Sequence, residues 1–429
     1  MHIETIKMEN FETNDIFGLS RDLPLNYIER PDVDFKLKQE LQAKKHVVIY
    51  GSSKQGKTCV RKHCIKADDY ILVQCSNRSD VSELNASILK RAGFEITQST
   101  KKGITGKNKI LASIKTTILG FGANAGGEVE DTKSHEQITA PLEIDVDDVN
   151  DVIAALKSIN FKKMIVLEDF HYMPFETQRD FSIALKAFHE TSSIIFVIVG
   201  VWLEDNRLIV YNGDLTGRII SVNADKWQDS ELEMAIDKGG ALLNIDFDPT
   251  FKADVVKHCL NSIYLVQEAC RRACIECGIS GTQQTKRTIG IGLDGKDIIA
   301  KIVNDQSARY NSFLINFSDG FQDTELQMHK WILYPVLSST INELELGLKF
   351  KDIRATLQSV HPRGEKLNLG NVTQSLQSTA SLQIKKNIMP IILDYDQTNR
   401  KLNVVDKGFL IWLQHQNIKD LKDDLELPN

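Results

Sequence analysis

Residues 47–58 read VVIYGSSKQGKT, and the fold of the chain follows from their order. Four apolar, partly β-branched residues, Val47 to Tyr50, specify a buried strand. The strand runs straight into Gly-x-x-x-x-Gly-Lys-Thr (Gly51, Gly56, Lys57, Thr58), and a helix-like stretch, VRKHCIKADDY, follows. Strand, glycine-rich loop and helix make the setting that a phosphate loop requires. The glycines let the backbone curl, so that the amides of Ser52, Ser53, Lys54 and Gln55, and of the helix start through Cys59, point inward at a triphosphate. Lys57 is placed to reach the outer phosphates, and the Thr58 hydroxyl to hold Mg²⁺. A ligand-free Gly/Ser turn is the bland alternative. The spacing, the Lys-Thr pair and the preceding strand together argue against it.

The rest of the composition is that of a soluble globular protein. Its 429 residues suggest about three domains. With 42% hydrophobic and 26% charged residues and a net charge of −6, the chain is not one that coats nucleic acid wholesale, although a local basic face is compatible with it. The polar start MHIETIKMENFETND is no secretory signal. The longest apolar run, residues 194–203, is far shorter than the ~20 residues of a membrane span. A cytoplasmic location without a membrane partner is therefore expected. Cys270, Cys274 and Cys277 spell C-x-x-x-C-x-x-C, a spacing that an iron–sulfur cluster can use. They recur at i, i+4, i+7 inside a helical stretch, which reads better as one apolar stripe.

Upstream of the loop, Pro24 and Pro31 frame an extended segment, with a helix starting near Asp32 or Asp34. Tyr27 and Ile28 are placed to fold over a purine base or to fill a minor core, and Arg30 to reach a phosphate or cap a neighbour. Downstream, YILVQC (70–75) is a second strand and VSELNASILKRAGF (81–94) a helix. Residues 97–140 are rich in Gly, Lys, Ser and Thr and read as an insertion, a hairpin or short amphipathic helix on flexible flanks. A helix at 145–159 leads to a third strand ending in Glu168 and Asp169. Such a pair can order the Mg²⁺ shell and polarise the attacking water. A helix (177–190) precedes the fourth strand (193–202), whose tip offers no polar residue at Gly200 or Val201; Glu204, Asn206 and Arg207 lie within reach. A fifth strand follows Arg218, which is either a surface ion-pair residue or a finger offered to a neighbouring subunit's nucleotide.

From Asp225 the pattern turns helical, giving three amphipathic segments to about residue 280, a lid. Arg271 or Arg272 could point from it toward the γ-phosphate. Residues 279–298 are polar and Gly-rich, a candidate linker to two helices. Residues 347–419 then read as helix, two short helices, a β-hairpin with the turn DQTN, and a closing helix, the order of a winged helix. That stretch carries eleven Lys/Arg against five Asp/Glu. Ser378, Thr379, Gln383, Lys385 and Lys386 on its second short helix, and Arg400 and Lys401 on the wing, form a candidate DNA contact. Packing against protein is the competing use of such a module.

Taken together, L-N-Y-I-E-R, G-S-S-K-Q-G-K-T, I-V-L-E-D, the Arg opening the fifth strand, the helical lid and the winged helix resemble AAA+ ATPases of the replication-initiator type and the related STAND ATPases, over residues about 20–415. The resemblance implies an α/β P-loop core (residues 1–224) with a parallel sheet in the order 5-1-4-3-2. It also implies a lid (225–280) and a connector plus winged helix (281–429). By position, Tyr27 and Ile28 match the adenine-side box, Arg218 the finger, and Arg271 or Arg272 the second sensor. The implied activity is an ATP- and Mg²⁺-dependent switch that self-associates. It would work with a separately encoded effector, in a setting such as bacterial defence or mobile elements, or load DNA through the winged helix. The family usually ends its third strand Asp-Glu. The order Glu168-Asp169 puts a shorter acid at the base position and favours slow hydrolysis.

Overall fold

The computed structural model describes residues 9–18, 22–100, 109–118, 135–138, 142–225, 227–322 and 324–429. Strand β1 (His46–Tyr50) is buried along its whole length. The other core strands are β2 (Tyr70–Gln74), β3 (Met164–Glu168), β4 (Phe196–Val199) and β5 (Ile219–Asn223). All pairings are parallel, and the order is β5-β1-β4-β3-β2, as the resemblance implies.

The two-residue period of the strands divides the core. Val48, Tyr50, Ile165, Leu167 and Ile198 face one helical layer, built around Leu84, Ile88, Leu156, Phe181 and Phe188. Val47, Ile49, Val166, Val197 and Val222 face the other, with Val33, Leu37, Val60 and Ile65. Both faces are covered, which is why these strands read as continuous apolar runs rather than as alternations. Full burial of each such Val or Ile stabilises the fold by roughly 1.5–3 kcal/mol.

Of the two forms expected for the insertion, hairpin and helix, the described residues take antiparallel strands. Strands at Phe94–Thr100, Lys109–Ile118, His135–Ile138 and Leu142–Asp145 pair as an antiparallel sheet. Residues 101–108, 119–134 and 139–141 of that expectation lie outside the described residues.

Helix α1 (Lys57–Cys64) follows the loop; α2 (Asp229–Leu243), α3 (Pro249–His258) and α4 (Ile263–Glu276) form the helical layer read as a lid. Cys270 and Cys274 are buried in its core, where burial raises both thiol pKa values. The stretch read as a linker is pinned in place, because Arg287–Ile289 pairs in parallel with Ile245–Phe247. Three helices, Gly295–Asn304, Ser307–Ser318 and Met328–Ser338, stand where two were expected.

The C-terminal module runs β6 (Leu348–Lys349), α5 (Phe350–Val360), α6 (Leu369–Gln377), α7 (Thr379–Lys385), β7 (Leu393–Asp396), β8 (Lys401–Val404) and α8 (Lys407–Gln414). Strand β8 lies between β6 and β7 in an antiparallel sheet. The module is docked on the core. Ile384, Ile391 and Val405 bury themselves against Val201 from the tip of β4, with Tyr172, Leu203 and Ala380 packed around them. Among the described residues, no helix is long and apolar enough to cross a membrane.

Candidate functional site

The loop after β1 takes a shape that ordinary side chains resist. Gly51 has φ +144°, and a Cβ there would lie 2.7 Å from Asp225 Oδ1. Gly56, at φ +84°, caps α1, and Lys54 between them is also left-handed. Two loop amides are already engaged. Ser52 N–H donates to both Asp225 oxygens at 2.8 Å, and Ser53 N–H donates to the Val405 carbonyl at 2.9 Å. The first amides of α1, from Lys57 through Cys59, have no intrahelical acceptor and present the positive end of the helix dipole, a ready anion site. Lys57 is almost wholly buried, and its ammonium donates to the Gly51 and Ser52 carbonyls. Burial pushes its pKa down to about 8, against the opposing pull of Asp225, Asp169 and Glu168.

The two acids divide their tasks. Glu168 ends β3 beside α1: Thr58 Oγ1 lies 3.5 Å from Glu168 Oε2, and Arg61 Nε donates to Oε1 at 2.7 Å. A hydroxyl and a carboxylate thus stand together at the start of α1, and Arg61 fixes the carboxylate's orientation. Burial raises the Glu168 pKa, with Arg61 opposing. Thr58 and Glu168 fit a magnesium ion, since Mg²⁺ takes few protein ligands and keeps phosphate oxygens and waters for the rest. Asp169 is left-handed at φ 57° and caps the 3-10 turn Phe170–Tyr172. Gln74 Nε2 donates to its carboxylate, and burial raises its pKa.

A cavity of about 320 Å³ joins the loop to the lid. Ser53 to Cys59 line it, with Asp169, His171 and Tyr172 at the phosphate end and Tyr27, Ile28, Trp227 and Tyr264 toward the lid. Asn26 and Gln267, whose amides bond each other reciprocally, close the lid end. Pro390 of the C-terminal module contributes to the wall. Tyr27 stacks its ring on His63 and donates its hydroxyl to Asp34, so it lines the cavity with its position already fixed. Arg30 lies 3.9 Å over the Trp227 ring and donates to the Ala224 carbonyl. It is a buried brace between strand β5 and the segment before the loop.

The sequence-derived arginines are elsewhere. Arg271 and Arg272 pair with Glu268, Arg272 also with Asp305, and neither lines the cavity; the lid presents Tyr264 and Gln267 instead. The expected second sensor is corrected accordingly. Arg218 lies at the start of β5, where its carbonyl accepts from His46 N–H at the start of β1, the end of the sheet opposite the loop. It is bound to Glu190 and cannot reach its own chain's site. At the tip of β4, the Trp202 ring fills the space a Gly200 side chain would need, 1.7 Å from an ideal Cβ.

The candidate DNA face is also redistributed. Thr379 and Gln383 are fully buried, and the Gln383 amide bonds the backbone of Ile392 and Leu393. Gln383 thus holds α7 to the start of β7 and Thr379 donates to the Ser375 carbonyl of α6, a correction that follows from both side chains being taken up inside the module rather than facing outward. Ser378 bonds His329, Lys385 lies over Phe321 and Lys386 pairs with Asp319. Arg400 stacks 4.1 Å over Phe350, and Lys401 donates to the Leu346 carbonyl.

Several residues escaped the sequence reading. Arg61 carried a signal, one turn after Lys57 and thus on the same helix face. Asp225 and Trp227 carried none, because tertiary packing alone brings them to the loop, and Arg207, read only as lying within reach of the β4 tip, gains a partner from the C-terminal module. Arg207 Nε donates to Glu204 at 3.1 Å and its other arm pairs with Asp394 of β7; all three are buried, and Thr398 donates to Glu204.

No family model and no curated protein matches the chain. Solved structures do resemble it. The Walker-type ATPase PABY2304 of Pyrococcus abyssi is 12% identical, over 93% of this chain and 99% of that one, at a TM-score of 0.49. The ORC1 protein of Aeropyrum pernix, solved in complex with DNA, is 10% identical over 97% of each chain, at 0.45. Cdc6p of Pyrobaculum aerophilum is 10% identical over 97% of this chain and 99% of that one, at 0.39. At such identities and scores the likeness is one of outline, and what the chain does has to be derived from its own residues. Its strand order, its phosphate loop and the acid pair at the tip of β3 give it the fold of a P-loop core.

Proposed function

We propose that this chain is an ATP-binding, slowly hydrolysing regulatory ATPase whose C-terminal module is the moving part. ATP occupies the cavity, with its phosphates on the amides opening α1, Lys57 on the outer phosphates and its base toward Tyr27, Ile28 and Trp227. Thr58 and Glu168 hold Mg²⁺, which neutralises charge developing on the phosphates. Asp169 orients and polarises the attacking water, and its short side chain keeps turnover low. The observation that carries the reading is the direct bond from a loop amide, Ser53 N–H, to Val405 of the C-terminal module. Nucleotide occupancy and module position thereby act on the same few atoms. In this docked arrangement the module closes the site; its release would allow self-association and control of a separately encoded effector. Arg218 then completes a neighbour's site, a contribution worth ~10³–10⁵ in rate for such fingers.

A second reading, a nucleotide-gated DNA loader, draws on the excess of six positive charges in residues 347–419. Because α7 packs on the core, DNA access would itself depend on undocking. The test is phosphate release per subunit across a dilution series, for wild type and Arg218→Ala. The rate is expected to rise with concentration in wild type only. Rates that are flat for both proteins would remove catalysis between subunits.

A further inference from the structure

The chain contains two buried histidines near β1 and β3, and they differ in one respect. His46 is a satisfied core residue: one ring nitrogen lies 3.1 Å from the Leu185 carbonyl, and the other accepts from Phe196 N–H at 3.1 Å. His171 is 3% exposed, yet among the described residues neither of its ring nitrogens has a partner. Unpaired buried polar atoms are uncommon because their desolvation is uncompensated. The backbone turn at Asp169 carries His171 back beneath the tip of β3, and it lines the same cavity as Lys57, Thr58 and Asp169. Lys57, the residue expected to reach the outer phosphates, is near enough to act on the His171 charge.

We propose that His171 contacts the terminal phosphate of the bound triphosphate through a ring N–H, and so distinguishes tri- from diphosphate. Burial, reinforced by the neighbouring cations Lys57 and Arg207, holds the imidazole neutral, with one donor and one acceptor nitrogen. A donor aimed at a phosphate oxygen makes a charge-assisted hydrogen bond, which a diphosphate ending short of it cannot accept. Arg207, whose charge also acts on the imidazole, is the residue that grips Asp394 of the docked module. The inference rests on the proposal that the cavity holds ATP.

The test is equilibrium binding of Mg-ADP and of the slowly hydrolysed Mg-ATPγS to the full chain. Wild type, His171→Ala, His171→Gln and the volume-matched His171→Leu are compared, each with a melting curve. Loss of one hydrogen bond to a charged group predicts that the Ala and Leu variants weaken ATPγS binding by about tenfold or more, with ADP affinity unchanged within about twofold. Gln, which keeps an N–H donor, should restore part of the difference. An equal loss for both nucleotides, or an unchanged ratio in a folded Ala or Leu variant, would overturn the role while leaving the site intact. If wild type retains neither nucleotide, the cavity reading fails, and this inference fails with it.

Discussion

Removing the Asp394 carboxylate should undock the C-terminal module without unfolding the core. Arg207 is 7% exposed and Asp394 2%, so their ion pair is made out of water. Deleting one partner of a buried pair costs ~3–5 kcal/mol, because the other charge is left uncompensated. Arg207 keeps Glu204 at 3.1 Å, which places Asp394→Ala near the lower end, ~3 kcal/mol. At 1.4 kcal/mol per tenfold, that is roughly a 100-fold shift toward the open state. The apolar contacts of Val201 with Ile384, Ile391 and Val405 remain and limit the effect to opening. Hydrogen exchange reads the result directly, since Ser53 N–H is protected by the Val405 carbonyl. Its exchange should accelerate by roughly two orders of magnitude, in proportion to the open population. The amides of Val47–Ile49, which pair within the central sheet, should hardly change. Equal acceleration at both places would mean global destabilisation, and an unchanged Ser53 would mean that the pair does not hold the module.

Two further outcomes concern the site itself. Because burial lowers the Lys57 pKa to about 8, the ammonium that ATP needs is progressively lost from the free protein above that pH. Calorimetric Mg-ATP affinity should therefore be level below pH 8 and weaken above it by up to about tenfold per unit; a level profile to pH 10 would show that Lys57 stays charged. Replacing Asp169 with Asn, which tolerates the left-handed backbone at that position, should cut single-turnover phosphate release by ~10²-fold or more and leave nucleotide binding intact. Undiminished release would move the water-activating role to another group.

What the sequence made legible was whatever local chemistry dictates. Val47 to Thr58 allow one strand–loop–helix geometry, and Glu168-Asp169 at the end of an apolar run can only lie at a strand tip. The parallel order came from the family resemblance that these motifs carry, not from the residues alone. The hairpin at residues 393–404 was equally readable, because its turn residues separate two apolar runs. The errors arose where distant segments compete for the same side chain. Thr379 and Gln383 look like part of a DNA face when only their own helix is considered; the backbone of Ser375, Ile392 and Leu393 claims them in three dimensions. Arg271 and Arg272 lost their sensor role to Glu268, one turn away on the same helix. The insertion reads ambiguously because its alternating patch, ILASIKTTILGF, satisfies a strand and tolerates a helix.

The docked module also constrains how a nucleotide could act as a switch. A ligand shifts a two-state equilibrium only by its differential affinity for the two states, and one that binds both equally shifts nothing. Here a structural source of that difference is visible. Pro390 forms part of the cavity wall and Val405 engages the loop backbone, so docking changes the shape of the site and the freedom of the loop. Whether ATP opens or tightens the interface depends on the sign of that difference, and the outer phosphate is where ATP and ADP differ. Lys57, Asp169 and His171 line the cavity where the proposal puts it, and the charge of Arg207 acts on His171. A phosphate that alters the field or packing at His171 therefore acts one residue away from the ion pair that holds the module down. On the proposed reading, a path from phosphate through His171 and Arg207 to Asp394 would couple nucleotide state to docking, while at the tip of β4 Trp202 fills the space that a side chain at Gly200 would need.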